Sequence, residues 1–194
     1  MMNNDSKVLL DSLLETASNK WKVDGKPMDI NLIIENMNKI AFHESKYGTD
    51  KYQPKQTGGG DRPGMGIFQF EKNRPGKYDK YGREYINQGA QTAINRLIAQ
   101  NQGVAPSFLE GIAESNYDVS SLSPVQQQAI FLGNLLQMPD KGEGYMPASF
   151  MGVDTDKELA EYWAQYHQAG TKPETDEYNE MINKFLRDMP YYGG

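Results

Sequence analysis

Ile30-Asn31-Leu32-Ile33-Ile34-Glu35-Asn36-Met37-Asn38-Lys39-Ile40-Ala41-Phe42-His43-Glu44-Ser45 is the stretch on which the reading of the fold turns. At helical period Ile30, Ile33, Ile34, Met37, Ile40 and Ala41 share one face, and the next position of that face, three residues past Ala41, is Glu44. An acid therefore stands where a core residue is expected. Removing a carboxylate from water favours its protonated form, the property a general acid needs near neutral pH. The opposing reading is that the helix ends here, with Gly48 as its cap, and that Glu44 turns to solvent or pairs with a lysine.

Upstream, Asp29 is placed to cap this helix, and Asp24-Gly25-Lys26-Pro27 reads as the turn before it. Before the turn, Leu10, Leu13, Leu14, Ala17 and Trp21 recur at spacings of three and four. They predict an amphipathic packing helix for which Asp5 or Ser6 supplies the cap. Downstream, residues 48–66 hold too many turn formers for a helix, Gly58-Gly59-Gly60-Asp61-Arg62-Pro63-Gly64 among them. A long surface loop with a short strand or hairpin is expected there. Gly66 to Glu71 reads as a strand, with Phe68 and Phe70 on one face and Ile67, Gln69 and Glu71 on the other. The neutral amide of Gln69 can hydrogen-bond a sugar's amide or hydroxyl, or can simply be a polar residue on an exposed strand face.

Further along, Ile86, Ala90, Ala93, Ile94, Leu97 and Ile98 predict a helix over Gly82–Gln100, and a short helix is expected over Pro106–Ala113. Ser123-Pro124 is a strong helix start, opening a helix through Gln137. Met138 to Met151, rich in proline and glycine, reads as a second irregular stretch able to wall a groove. Thr155 and Glu158 have capping-box spacing, and Leu159, Tyr162, Trp163 and Tyr166 give the following helix an aromatic stripe up to Gly170.

Glu44-Ser45, the turn-rich loop and Gly66-Ile67-Phe68-Gln69 together resemble the soluble lytic transglycosylases of the goose-type lysozyme superfamily. That family's pattern is a helix ending in Glu-Ser, a loop, and a Gly-Leu-Met-Gln segment. Ile86-Asn87 with Gly89-Ala90 is similar to the family's next helix, and Tyr166-His167-Gln168-Ala169-Gly170 to its Ala-Tyr-Asn-Ala-Gly segment, with His167 in place of asparagine. Pro173-Glu174-Thr175-Asp176-Glu177-Tyr178 resembles the Glu-Thr-x-x-Tyr motif, which brings a tyrosine hydroxyl toward the catalytic acid. Leaving the Ile86–Ala90 helix aside, the four motifs, Glu44-Ser45, Gly66–Gln69, Tyr166–Gly170 and Glu174–Tyr178, occur in the family's order between Ile30 and Phe185. The departures are His167, the aromatic Phe68 and Phe70 around Gln69, and the long linker between Gly103 and Asp154. The aromatic pair and the glycine-rich loop resemble bacteriophage virion-associated members.

The resemblance implies a mainly α, lysozyme-like α+β domain with a small irregular or β segment beside the substrate groove. Residues 1–26 would be an N-terminal amphipathic helix packed on the domain, 27–188 the transglycosylase domain and 189–194 a C-terminal tail. The implied activity is cleavage of peptidoglycan between N-acetylmuramic acid and N-acetylglucosamine, with a 1,6-anhydro product. Glu44 would be the catalytic acid and base, and Ser45, Gln69, Phe68, Tyr166, His167 and Tyr178 would contact substrate. One indispensable carboxylate suffices if the substrate's acetamido group supplies what a second acid supplies in ordinary glycosidases. A hydrolytic muramidase would need that second carboxylate, for which Glu71, Asp61 and Asp50 are candidates. A non-catalytic virion protein on the same fold is the other alternative.

Composition excludes several classes. A net charge of -6 argues against broad attraction to nucleic acid or anionic lipid. No apolar run approaches the ~20 residues that span a bilayer, and no insertion into a membrane is expected. His43-Glu44 could begin a zinc site, but the second histidine of His-Glu-x-x-His would fall on Tyr47. No Lys-Ser or Lys-Thr pair follows the glycine-rich loop as a phosphate loop requires, so neither metal nor cofactor is indicated. There is no cysteine, which removes thiol catalysis and suits synthesis in a reducing host cytoplasm. Met1-Met2-Asn3-Asn4-Asp5-Ser6 has no basic region leading into an apolar core, so no secretory signal is expected. Delivery in a virion, at a tail tip or among ejected proteins, would bring such a domain to the periplasm or cell wall, with other phage tail or ejection proteins as partners. Late release during lysis is the rival route.

Overall fold

The computed structural model describes residues 4–23, 25–47, 64–78, 84–85, 89–137, 155–164 and 173–193. Over these residues the chain is mainly helical, with three small two-stranded antiparallel sheets. In chain order the elements are α1 (Asn4–Lys20), β1 (Lys22–Val23), β2 (Lys26–Pro27), α2 (Ile30–Ser45), β3 (Gly64–Met65), β4 (Phe70–Glu71), β5 (Arg74–Tyr78), β6 (Glu84–Tyr85), α3 (Gly89–Gln100), α4 (Pro124–Leu136), α5 (Asp156–Tyr162) and α6 (Asp176–Asp188). Contacts divide the chain into two units, Met1–Leu13 with Glu44–Gln137 and Leu14–His43 with Met138–Gly194.

In the first unit α3 and α4 pack most extensively. Ala90, Ala93, Ile94 and Leu97 of α3 are buried, as are eight of the thirteen residues of α4, Ile130 and Leu132 among them. The two helices approach closely because Gly133 has no side chain, and a Cβ there would lie 3.1 Å from the Leu97 Cα. α4 starts where the sequence places it, with a capping box between Ser123 and Gln126 and proline at the first turn. Below the β3–β4 hairpin, Phe68 stacks on Phe131 with ring centroids 4.2 Å apart, and Phe70 lies edge-on to Phe68.

In the second unit Leu14, Ala17 and Trp21 are buried, and the Ser18 hydroxyl donates to the Met28 carbonyl across the β1–β2 turn. Asp29 caps α2 as expected, its carboxylate accepting from the Asn31 N–H. Ile33, Met37, Ile40 and Ala41 form the buried face of α2, while Ile30 and Ile34 are only half-buried. The Thr155–Glu158 capping box opens α5, whose Leu159, Tyr162 and following Trp163 are buried. Lys39 bridges Glu35 and Asp156 at 2.8 and 2.7 Å. Burial works against its charge, but the two carboxylates outweigh it and hold the ammonium above its ordinary range.

Several sequence expectations are corrected. Gly66–Glu71 is not one strand but the turn and second arm of a hairpin, because Gly66 (φ +74°) and Gln69 (φ +50°) reverse the chain between Met65 and Phe70. The helix expected from Gly82 begins at Gly89, since Glu84 and Tyr85 are taken by pairing with β5. Pro106–Ala113 is two 3-10 turns, Ser107–Leu109 and Ile112–Ser115, separated by a left-handed Gly111. α1 starts at Asn4, which puts Asp5 and Ser6 inside its first turn rather than at a cap. Within residues 189–194, Met189–Tyr191 forms a 3-10 turn with Met189 buried. Gly48, the loop from 48 to 63, Ile86, Asn87, and 138–151 lie outside the described residues.

Candidate active site

Glu44 occupies the last turn of α2, three residues past the buried Ala41. The helix does end here, but through Lys46 and Tyr47, both left-handed, and Glu44 is half-buried rather than extended into solvent. Ser45, 1% exposed, is drawn inward beside it. Its hydroxyl donates to the Ile67 carbonyl at 2.9 Å, joining the end of α2 to the Gly66–Gln69 turn 22 positions away in sequence.

The turn is held from its other side as well. The Ile67 N–H donates to Gln127 Oε1 at 2.8 Å, and Gln127 Nε2 donates to the Leu122 carbonyl at 2.8 Å. Gln69 folds back on its own turn, its backbone N–H and its Nε2 both donating to the Gly66 carbonyl, at 3.2 and 2.9 Å. The carboxamide is thereby fixed, with its nitrogen committed within the turn. Phe68 was expected to contact substrate. Instead it is 1% exposed and stacked on Phe131, so it supports the turn from beneath.

Glu71 ends β4, beside the first residue of α3, where a Cβ on Gly89 would lie 3.4 Å from the Glu71 nitrogen. Burial pushes its carboxyl above the ordinary value of 4.5, and the Arg74 guanidinium offsets part of that rise. Next to it a polar chain continues: Asn73 donates to Gln91 at 2.6 Å and Gln91 donates to the Tyr117 hydroxyl at 3.0 Å. Glu44, Ser45, Gln69 and Glu71 thus belong to the first unit.

Tyr178 belongs to the second unit and stands in the first turn of α6, its N–H capped by the Thr175 hydroxyl at 3.2 Å. The Glu-Thr-x-x-Tyr segment therefore reads locally as a helix start. Asp50, Asp61, Tyr166 and His167 lie outside the described residues.

Gln127 escaped the sequence reading, and His43 entered it only as the start of a zinc motif. Gln127 is 3% exposed on the inner face of α4, one turn before Ile130 and Phe131, and that register was its available signal. His43, within the second unit, donates its Nδ1–H to Asp188 Oδ2 at 2.8 Å, with its ring against Trp163 and Phe185. Its signal was the spacing from Asn36 and Ile40, both buried. Among the described residues no group of three or more His, Cys, Asp or Glu side chains could hold a metal ion. No protein-family model, curated protein or solved structure matches this chain.

Proposed function

We propose that this chain is a peptidoglycan lytic transglycosylase of lysozyme-like fold, with Glu44 as its catalytic acid and base. The observation that carries the reading is the Ser45 hydroxyl bond to the Ile67 carbonyl, which ties the Glu-Ser helix end to the glycine-to-glutamine turn. These two motifs are the first two of the four that the resemblance rests on. A half-buried carboxyl at a secured helix end suits a group that must both give and take a proton at one place.

In this mechanism the Glu44 carboxyl protonates the glycosidic oxygen as the C1–O4 bond breaks, and the acetamido oxygen of the muramic residue bonds to C1. The Glu44 carboxylate then takes the proton of the C6 hydroxyl, O6 bonds to C1, and the acetamido oxygen leaves. Glu44 ends protonated, the product carries a 1,6-anhydro ring, and no water is consumed. The acidic balance of the chain does not draw it to an anionic wall, and we propose that a phage particle delivers it.

The test is turbidity clearing of purified cell walls by the wild-type chain and by Glu44→Gln. The amide is nearly isosteric but carries no transferable proton, so clearing is expected to fall to background with the circular dichroism spectrum unchanged. Clearing retained by Glu44→Gln removes Glu44 from the mechanism.

A further inference from the structure

Ile67 has both of its backbone polar groups held by buried side chains rather than by a strand ladder. Ser45 of α2 takes the carbonyl and Gln127 of α4 takes the N–H. Gln127 is in turn fixed by its second hydrogen bond, to the Leu122 carbonyl. Gly66 makes room for this arrangement. A Cβ there would stand 2.1 Å from Gln127 Oε1 and 3.3 Å from Val119 Cγ2.

Two left-handed residues, Lys46 and Tyr47, end α2 directly after Ser45. The bonds from Gln127 through Ile67 to Ser45 connect that end to α4, itself packed on α3.

We infer that Gln127 is a positioning residue for the Glu44 carboxyl, acting through the Ile67 backbone and Ser45. This assignment rests on the reading of Glu44 as the catalytic acid. The site requires one acceptor and one donor on the same side chain. Glutamine has both, leucine has neither, ionised glutamate has acceptors only, and protonated glutamate again has both in the same geometry.

The test is steady-state kinetics on soluble glycan fragments across pH for the wild type, Gln127→Leu, Gln127→Glu, Ser45→Ala and the Ser45→Ala/Gln127→Leu double variant. Thermal melts at each pH establish the folded fraction, and NMR hydrogen exchange follows the Ile67 amide. Gln127→Leu is expected to lower kcat roughly 10- to 100-fold with little change in KM, as a small misplacement of a reacting group does. Gln127→Glu should recover kcat toward acid pH, relative to wild type, as the introduced carboxyl becomes protonated. Gln127→Leu should show no such recovery. The double variant should be little worse than the poorer single, because both changes act through Ile67.

Full kcat in folded Gln127→Leu overturns the assignment. So does a loss that follows only the unfolded fraction, or losses from Ser45→Ala and Gln127→Leu that multiply. An Ile67 amide exchanging freely in an active wild-type chain overturns the assignment alone, whereas a folded wild type that cuts no glycan overturns the functional reading and the assignment with it.

Discussion

Glu44 was legible as unusual because a carboxylate continued an apolar stripe, and the structure keeps it half-buried at the end of that stripe. Ser45 was legible only through its neighbour, since nothing in sequence says that its hydroxyl reaches Ile67. Phe68 was given a substrate contact by the resemblance alone, whereas alternation had set it on one face with Phe70, and the two rings are buried against each other. Glu71 supplies a test at this scale. Its carboxyl is held above the ordinary value of 4.5 by burial, so in the unfolded chain it ionises at lower pH than in the folded one. Below the unfolded value both states are protonated and burial costs nothing on this account. As pH rises through the folded value, the folded state must bury a charge and loses stability. Glu71→Gln is therefore expected to melt at a higher temperature than wild type near about pH 8 and at the same temperature near about pH 3. Thermal melts at the two pH values check this, and a variant less stable at the higher pH contradicts the burial account.

Among the elements, those with a cap and a long apolar period were the most legible. Asp29, Ser123 and Thr155 all cap where the spacing placed them. The elements misread were those whose limits depend on partners distant in sequence. Glu84 and Tyr85 leave the helical period because β5 pairs with them, and Gly111 divides a helix that hydrophobic spacing alone would continue. The hairpin turn gives this scale its prediction. Gly66 and Gly76 share a φ of +74°, but a Cβ on Gly66 collides with Gln127, whereas one on Gly76 meets nothing within 4 Å. Gly76→Ala should cost about 1–2 kcal/mol for the left-handed backbone alone. Gly66→Ala should cost about 1–3 kcal/mol more, the usual range for overpacking a filled site. Urea unfolding of both variants measures the difference. Equal losses would mean that Gln127 does not fill the space above Gly66.

For the molecule as a whole, a mainly helical build was readable from periodicity, but its division into two units was not. Each unit is assembled from chain segments far apart in sequence, and two of the three boundaries fall inside α1 and α2, where no composition shift marks them, while the third, after Gln137, coincides with the start of the proline- and glycine-rich stretch from Met138. Among the described residues no helix is long and apolar enough to cross a membrane. Delivery by a phage particle predicts that peptides from this chain occur at a fixed copy number in mass spectra of purified virions, and their absence from clean particles contradicts it. The chemistry itself is tested most directly by mass spectrometry of the fragments that the purified chain releases from peptidoglycan in water labelled with heavy oxygen. The account predicts muramic ends with a 1,6-anhydro ring, one water lighter than reducing ends, free of label, and absent from the Glu44→Gln digest. Reducing ends that carry the label would contradict it.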